Sequence, residues 1–245
     1  MALIENDVIV TTKHGRMPAF TACPDEPGAF PGIVFYMDAP GYREELKNHA
    51  RRIAKHGYFC ILPNMYYRLG TVVFDIPRRD EAMSAVIKAS MNSLTNALVT
   101  DDTAAMLSYL DGRAKAAPGP VGCIGHCMSG KYITTVAARF PTRFACAASL
   151  YGVGIITDED DSAHLLLDKV QGELYYAFAE TDVSVPADIP PKVQAALEEA
   201  GTRHTLKVYP GTEHGYLFAE RPAYAPVQAE ETWGEILGLF DRTLK

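Results

Sequence analysis

From Gly32 onward the chain alternates short apolar, strand-forming runs with stretches of helical periodicity, and this alternation restricts the fold more than any other feature. Gly32–Tyr36 (GIVFY) is followed by a pattern in which Leu46, His49, Ala50 and Ile53 fall at i, i+3, i+4 and i+7, one face of a helix. Gly57 stops that pattern, residues 58–62 (YFCIL) form the next apolar run, and Pro63-Asn64 turns the chain. Leu98, Asp102, Ala105, Met106 and Tyr109 mark another helix, and Pro118-Gly119-Pro120 breaks the chain before a strand at 121–124 and a helix at 129–139. Strands at Phe144–Leu150, 174–179 and 206–209, with helices at 191–200 and Pro226–Leu244, complete the series. Such repetition predicts βαβ units building a mostly parallel sheet with helices on both faces, an α/β fold. Residues 8–12 and 17–21, on either side of Lys13-His14-Gly15, predict an N-terminal antiparallel hairpin. Residues 64–77, with Tyr66, Tyr67 and Arg68, read as a long irregular stretch bordering a functional site. No repeat or linker divides the chain, so a single domain over residues 1–245 is expected.

Charge and cysteine content narrow the partners. Lys and Arg number 23 against 30 Asp and Glu, a net charge of −7 that disfavours nucleic acid and anionic membrane surfaces. No apolar run is long enough to span a bilayer, and the first residues lack a basic start followed by an apolar stretch, so a cytoplasmic protein is expected. The five cysteines, Cys23, Cys60, Cys123, Cys127 and Cys146, cannot all pair and show no C-x-x-C spacing. The histidines include no H-E-x-x-H pair, and residues 158–161 lack the glycine and distal glutamate of a calcium loop, so no metal site is expected.

One turn carries chemistry. Gly125-His126-Cys127-Met128-Ser129-Gly130 lies between a strand and a helix with the spacing small-x-nucleophile-x-small. A nucleophile elbow needs that spacing because its central residue has a strained backbone that crowds the neighbours two positions away. The turn would lift Cys127 to a helix N-terminus, where the dipole favours a thiolate, and aim the Met128 amide at a developing oxyanion. The plain alternative is that Cys127 is one more buried hydrophobe. A rival reading takes residues 125–131 as a phosphate-binding G-x-x-x-x-G-K loop, although Tyr132 stands where that loop has Ser or Thr.

An elbow cysteine needs an acid and then a histidine later in the chain. Asp182 follows the strand at 174–179, with Glu180 as the competing carboxylate, and His214 follows the strand at 206–209. Glycines on either side of His214 permit a sharp loop, whereas His204 precedes its strand at the wrong end of the sheet.

On Gly125-His126-Cys127-Met128-Ser129-Gly130, Asp182-Val183-Ser184-Val185-Pro186 and Gly211-Thr212-Glu213-His214-Gly215, the chain resembles the dienelactone hydrolase family, the cysteine branch of the α/β hydrolases. Ile33-Val34-Phe35-Tyr36-Met37-Asp38 and Pro63-Asn64-Met65-Tyr66-Tyr67-Arg68 extend the resemblance over most of the chain. It implies the α/β-hydrolase fold and a Cys127–His214–Asp182 triad that hydrolyses a lactone or ester through a thioester, without metal or organic cofactor. It also implies that Asp38, where the family usually has glutamate, contacts the resting cysteine, and that the Ala39 amide completes the oxyanion hole with Met128. Family members acting on dienelactone hold its carboxylate with arginines, one of them four residues after the histidine, where this chain has Phe218. Strict dienelactone specificity is therefore not expected. Arg43, Arg68, Arg78 and Arg79 are the other candidate anion partners, and Tyr36, Tyr66, Tyr67, Tyr216 and Phe218 are candidates to line an acyl pocket. A small-molecule ester or lactone substrate is the expectation. The alternatives are a nucleotide-binding protein using residues 125–131 and a non-catalytic binding protein of hydrolase fold.

Overall fold

Two ten-residue strands, β1 (Leu3–Thr12) and β2 (Gly15–Pro24), form the expected hairpin and extend it in both directions. Its turn is Lys13-His14, closed by Gly15 at φ 132, a conformation that a side chain would strain. The computed structural model describes all of residues 1–245, in two compact units, Met1–Gly122 and Cys123–Lys245.

In the first unit, β3 (Gly32–Tyr36), α1 (Glu44–Lys55), β4 (Phe59–Pro63), α2 (Glu81–Asn92) and α3 (Asn96–Asp111) follow the hairpin, with strand order β1-β2-β4-β3. β4 runs antiparallel to β2 and parallel to β3. Every residue of β3 and β4 is buried, as a sheet covered on both faces requires. The predicted stripe Leu46, His49, Ala50 and Ile53 is the buried face of α1, which packs on β2 and β4. Glu44 and Glu45 in its first turn and Arg52 and Lys55 in its last complement the helix dipole.

Residues 64–77 are less irregular than their sequence suggests, holding one-turn 3-10 helices at Tyr67–Leu69 and Ile76–Arg78. Helix α2 was not expected. It buries only Ile87 and Ser90, too thin a stripe to read as periodicity, and its one local signal is Asp80, whose carboxylate caps the Met83 amide at 2.7 Å.

Asp102 lies on the buried face of α3, where a lone carboxylate would be costly. Arg68 grips it bidentately at 2.7 and 2.9 Å, Tyr67 Oη donates at 2.8 Å, and that hydroxyl is also within 2.8 Å of Thr12 Oγ1. Hairpin, 3-10 turn and helix thus meet on one carboxylate.

The second unit contains α4 (Gly130–Arg139), β6 (Phe144–Leu150), β7 (Glu173–Thr181), α5 (Ile189–Glu199), β8 (His204–Glu213) and α6 (Pro226–Leu244), while β5 (Val121–His126) begins two residues before it. The strand order is β5-β6-β7-β8, with β6, β7 and β8 mutually parallel. α6 packs Trp233, Ile236 and Phe240 into the core and contacts β6 and β7. A 3-10 segment, Ala163–Lys169, follows the acidic residues 158–161. No helix is long and apolar enough to cross a membrane.

Replacing Asp102 with Ala should leave the Arg68 charge stranded and cost about 3 kcal/mol of stability. Urea unfolding of the purified variant measures this directly, and a midpoint equal to the parent's would show that the cluster is not structurally important.

Candidate active site

The turn after β5 has the geometry that its spacing anticipates. Cys127 sits at φ 53, one of only two residues other than glycine with a positive φ, and opens a three-residue 3-10 turn, Cys127–Ser129, that leads straight into α4. A Cβ on Gly125 would lie 2.7 Å from the Ser129 carbonyl oxygen and 2.6 Å from Ile133 Cγ2, so the two flanking small residues touch each other. A Cβ on Gly130 would come within 2.2 Å of Gly152 Cα, a close approach between helix start and the loop after β6 that the sequence did not disclose. The Cys127 carbonyl accepts from the Val153 amide at 2.9 Å. Met128 and Ser129 are buried in the same turn.

Asp182 and His214 are brought together by strand register. The last matched pair of β7 and β8 is Thr181 with Glu213, so the next residue of each strand emerges beside the other. β8 runs four residues beyond its predicted end at Tyr209, through Pro210 and Gly211, which is why His214 sits at a strand end rather than deep in a loop. His214 Nδ1 is 2.8 Å from Asp182 Oδ2, while Asp182 Oδ1 accepts from the amides of Ser184 and Val185 at 2.8 and 3.1 Å. One oxygen fixes the loop and the other holds the imidazole. Glu180, the competing carboxylate, instead braces the segment ahead of His214. It accepts from the Gly211 amide at 2.9 Å, and its own amide donates to Thr212 Oγ1 at 3.3 Å.

The other four cysteines are buried, and desolvation raises the thiol pKa of each, to about 12 at Cys146. Only Cys127 is partly exposed. His204 pairs with the Thr202 carbonyl and Gln194, in keeping with its place at the start of β8.

A model of the dienelactone hydrolase family matches residues 17–244. The chain belongs to that family. A relative from Synechocystis sp., named "Putative carboxymethylenebutenolidase", is 28% identical over 241 residues, covering 97% of this chain and 96% of its own. One of the same name from Methylorubrum extorquens is 27% identical over 244 residues, covering 97% and 81%. Among solved structures, a "Putative Dienelactone Hydrolase" from Klebsiella pneumoniae superposes with a TM-score of 0.88 at 22% identity, covering 98% of this chain and 99% of that one. A "Dienelactone Hydrolase-like Promiscuous Phospotriesterase" from metagenomic libraries does so at 0.81 and 17%, covering 99% of each. The fold is therefore that of the α/β hydrolases, and this dienelactone hydrolase family member is a hydrolase.

The residues singled out in the first unit have partners of their own there. Asp38, fully buried, is held bidentately by Arg43 through contacts of 2.5 and 3.1 Å. The Ala39 carbonyl accepts from Tyr66 Oη at 2.8 Å. Tyr67 and Arg68 converge on Asp102, as described above. Arg79 donates to Ser84 Oγ at 2.8 Å, and Arg78 pairs loosely with Asp75 at 3.5 Å. In the second unit, Phe218 is buried, with its ring 5.0 Å from that of His126 and the Arg221 guanidinium 4.9 Å above it. The residue that sequence reading missed is Tyr151, at φ 39, whose ring meets His214 edge to face at 5.0 Å. An aromatic followed by Gly152-Val153-Gly154 at the end of an apolar strand was the available signal.

Burial alone would lower the His214 pKa, but hydrogen bonds to Asp182 and Cys127 and the negative charge of each outweigh it and raise the value from 6.5 to about 9. A pKa raised on folding contributes stability that is complete below about pH 6.5 and is lost as the pH rises through about 9. The melting temperature of the parent should accordingly fall between these pH values more steeply than that of His214→Asn. Parallel pH–melting curves for the two proteins would contradict this charge assignment.

Proposed function

We propose that this dienelactone hydrolase family member hydrolyses carboxylic esters or lactones with Cys127 as nucleophile, His214 as base and Asp182 as the orienting acid. The observation that carries the proposal is the chain of contacts in which Asp182 Oδ2 holds His214 Nδ1 at 2.8 Å and His214 hydrogen-bonds a cysteine in a left-handed turn. Asp182 sets the imidazole tautomer, leaving Nε2 for the thiol.

In the proposed reaction His214 takes the thiol proton and Cys127 Sγ bonds to the substrate carbonyl carbon, with the oxyanion received by the Met128 amide. The C–O bond to the alcohol then breaks, and His214 returns its proton to the departing oxygen. Water, deprotonated by His214, attacks the thioester; the C–S bond breaks, the acid leaves, and the proton goes back to the sulfur. All the bond changes are met by these side chains and water.

Several observations bear on substrate and scope. Arg43 and Arg68 are each matched to a buried aspartate, and Phe218 replaces the arginine position with an aromatic contact, which favours esters and lactones whose acyl part is uncharged. The family match runs through both compact units, which supports reading residues 1–245 as one hydrolase domain. The phosphate-loop alternative has little support, because only a three-residue turn separates β5 from α4 and Gly130 is packed against Gly152.

Cys127→Ala should lower kcat/KM for p-nitrophenyl acetate by at least about 1,000-fold, the scale seen when a nucleophile is removed. Iodoacetamide should inactivate the parent, with the label recovered on the peptide containing Cys127. Hydrolysis by the alanine variant at the parent's rate would refute the assignment.

A further inference from the structure

Tyr151 and Cys127 are the two residues other than glycine whose backbone is left-handed, at φ 39 and φ 53. They stand in equivalent places, each at the carboxyl end of a strand in the second unit, after β6 and β5 respectively. A tyrosine rarely adopts such a conformation, and it persists only where its surroundings over-determine it. Here the constraints can be named. The Tyr151 amide donates to the Ala177 carbonyl of β7 at 2.6 Å. Gly152 follows, and a Cβ there would lie 2.3 Å from Ser149 Oγ and 2.9 Å from Gly130 Cα, so the chain is pressed against the start of α4. The Val153 amide then donates to the carbonyl of Cys127 itself.

The strained backbone aims the Tyr151 ring at His214, with centroids 5.0 Å apart and planes at 63°. Behind it stand Tyr216 at 5.6 Å and His126 at 5.8 Å, so the ring is itself wedged in place. Asp182 holds the imidazole at Nδ1 and Cys127 hydrogen-bonds it as well, which sets the tautomer and the direction of the ring but leaves its plane free to turn about the line between these contacts. An edge-to-face aromatic neighbour removes that freedom.

We infer that Tyr151 is a positioning residue: its ring fixes the plane of His214 while the next two residues hold the Cys127 turn, so that one short segment keeps base and nucleophile in mutual register. The inference rests on the proposed roles of Cys127 and His214. A residue that merely filled the core would sit as well with ordinary strand dihedrals and would have no reason to bond the elbow two residues later.

The test compares Tyr151→Phe, Tyr151→Leu and Cys127→Ala with the parent, reading kcat and KM for p-nitrophenyl acetate, the pH profile of kcat/KM and the melting temperature. Tyr151→Leu should lose about 10- to 100-fold in kcat, the scale of a small misplacement of a reacting group, while KM changes less than about twofold. Its acid limb should move to higher pH, because water admitted beside the imidazole relieves the desolvation that holds its pKa down. Tyr151→Phe keeps the ring and should restore both the rate and the limb. Tyr151→Asn, whose side chain accepts a left-handed backbone, gives the same reading if the leucine variant does not fold. A folded Tyr151→Leu or Tyr151→Asn with the parent's kcat and acid limb, beside an inactive Cys127→Ala, would overturn the positioning role alone. An active Cys127→Ala would instead overturn the nucleophile on which the inference stands.

Discussion

Parallel strands present their carboxyl ends on one edge, and the ladder between β7 and β8 uses that fact to bring Asp182 and His214 together. Because Thr181 is matched with Glu213, Asp182 and His214 leave the sheet side by side, and no long loop has to be ordered to join them. A slip of one residue would send the side chains to opposite faces, so the pair depends on register more than on any single contact. The ladder is irregular between Ala179 and Thr181, the very step before the site. Glu180 bridges that irregularity by accepting the Gly211 amide, and Thr212 Oγ1 donates back to the Tyr209 carbonyl. The carboxylate that competes with Asp182 in the sequence thus braces the segment that leads to His214.

The cysteine turn is held by the opposite means, close packing rather than hydrogen-bonded register. A left-handed residue other than glycine costs on the order of 1–3 kcal/mol, and the segments of Cys127 and Tyr151 are joined by the hydrogen bond from the Val153 amide to the Cys127 carbonyl. What keeps them there is the absence of side chains around them: Gly125 against Ser129, and Gly130 against Gly152. A methyl group at any of these glycines would meet backbone or a buried side chain under 3 Å away, where nothing can give cheaply. Strain concentrated in so few residues, inside a unit whose strands are largely buried, is the arrangement expected where geometry at one sulfur atom matters.

Much of this was legible in the sequence, because the signals were local. The hairpin around Lys13-His14-Gly15, the α1 stripe and the small-x-Cys-x-small spacing each depend on neighbours within a few residues, and each is found where expected. Features that depend on distant partners were hidden. Helix α2 buries too little to reveal its period, and Asp102 reads in the sequence as one more member of a helical face, although Arg68 and Tyr67 converge on it in the fold. The extension of β8 through Pro210 and Gly211 defies strand propensity and follows from its position beside β7, where only one neighbour demands its hydrogen bonds. Tyr151, one residue past the strand Phe144–Leu150, stayed hidden because nothing in a single tyrosine announces a positive φ.

Arg43 and Arg68 are already committed to buried partners. Arg43 and Asp38 are both almost wholly buried, with side chains 8% and 0% exposed, and the Arg68–Asp102 pair is 19% and 2% exposed. Freeing either guanidinium to receive a substrate carboxylate means breaking a buried pair, which costs about 3–5 kcal/mol. The charge-assisted bond gained in exchange contributes only about 1.5–3 kcal/mol. The exchange is therefore uphill unless the abandoned aspartate is protonated or finds another donor. An uncharged acyl group asks for no such exchange and can bind against aromatic surface with both ion pairs intact. By this comparison of magnitudes, neither Arg43 nor Arg68 is available to a carboxylate ligand without the loss of a buried pair.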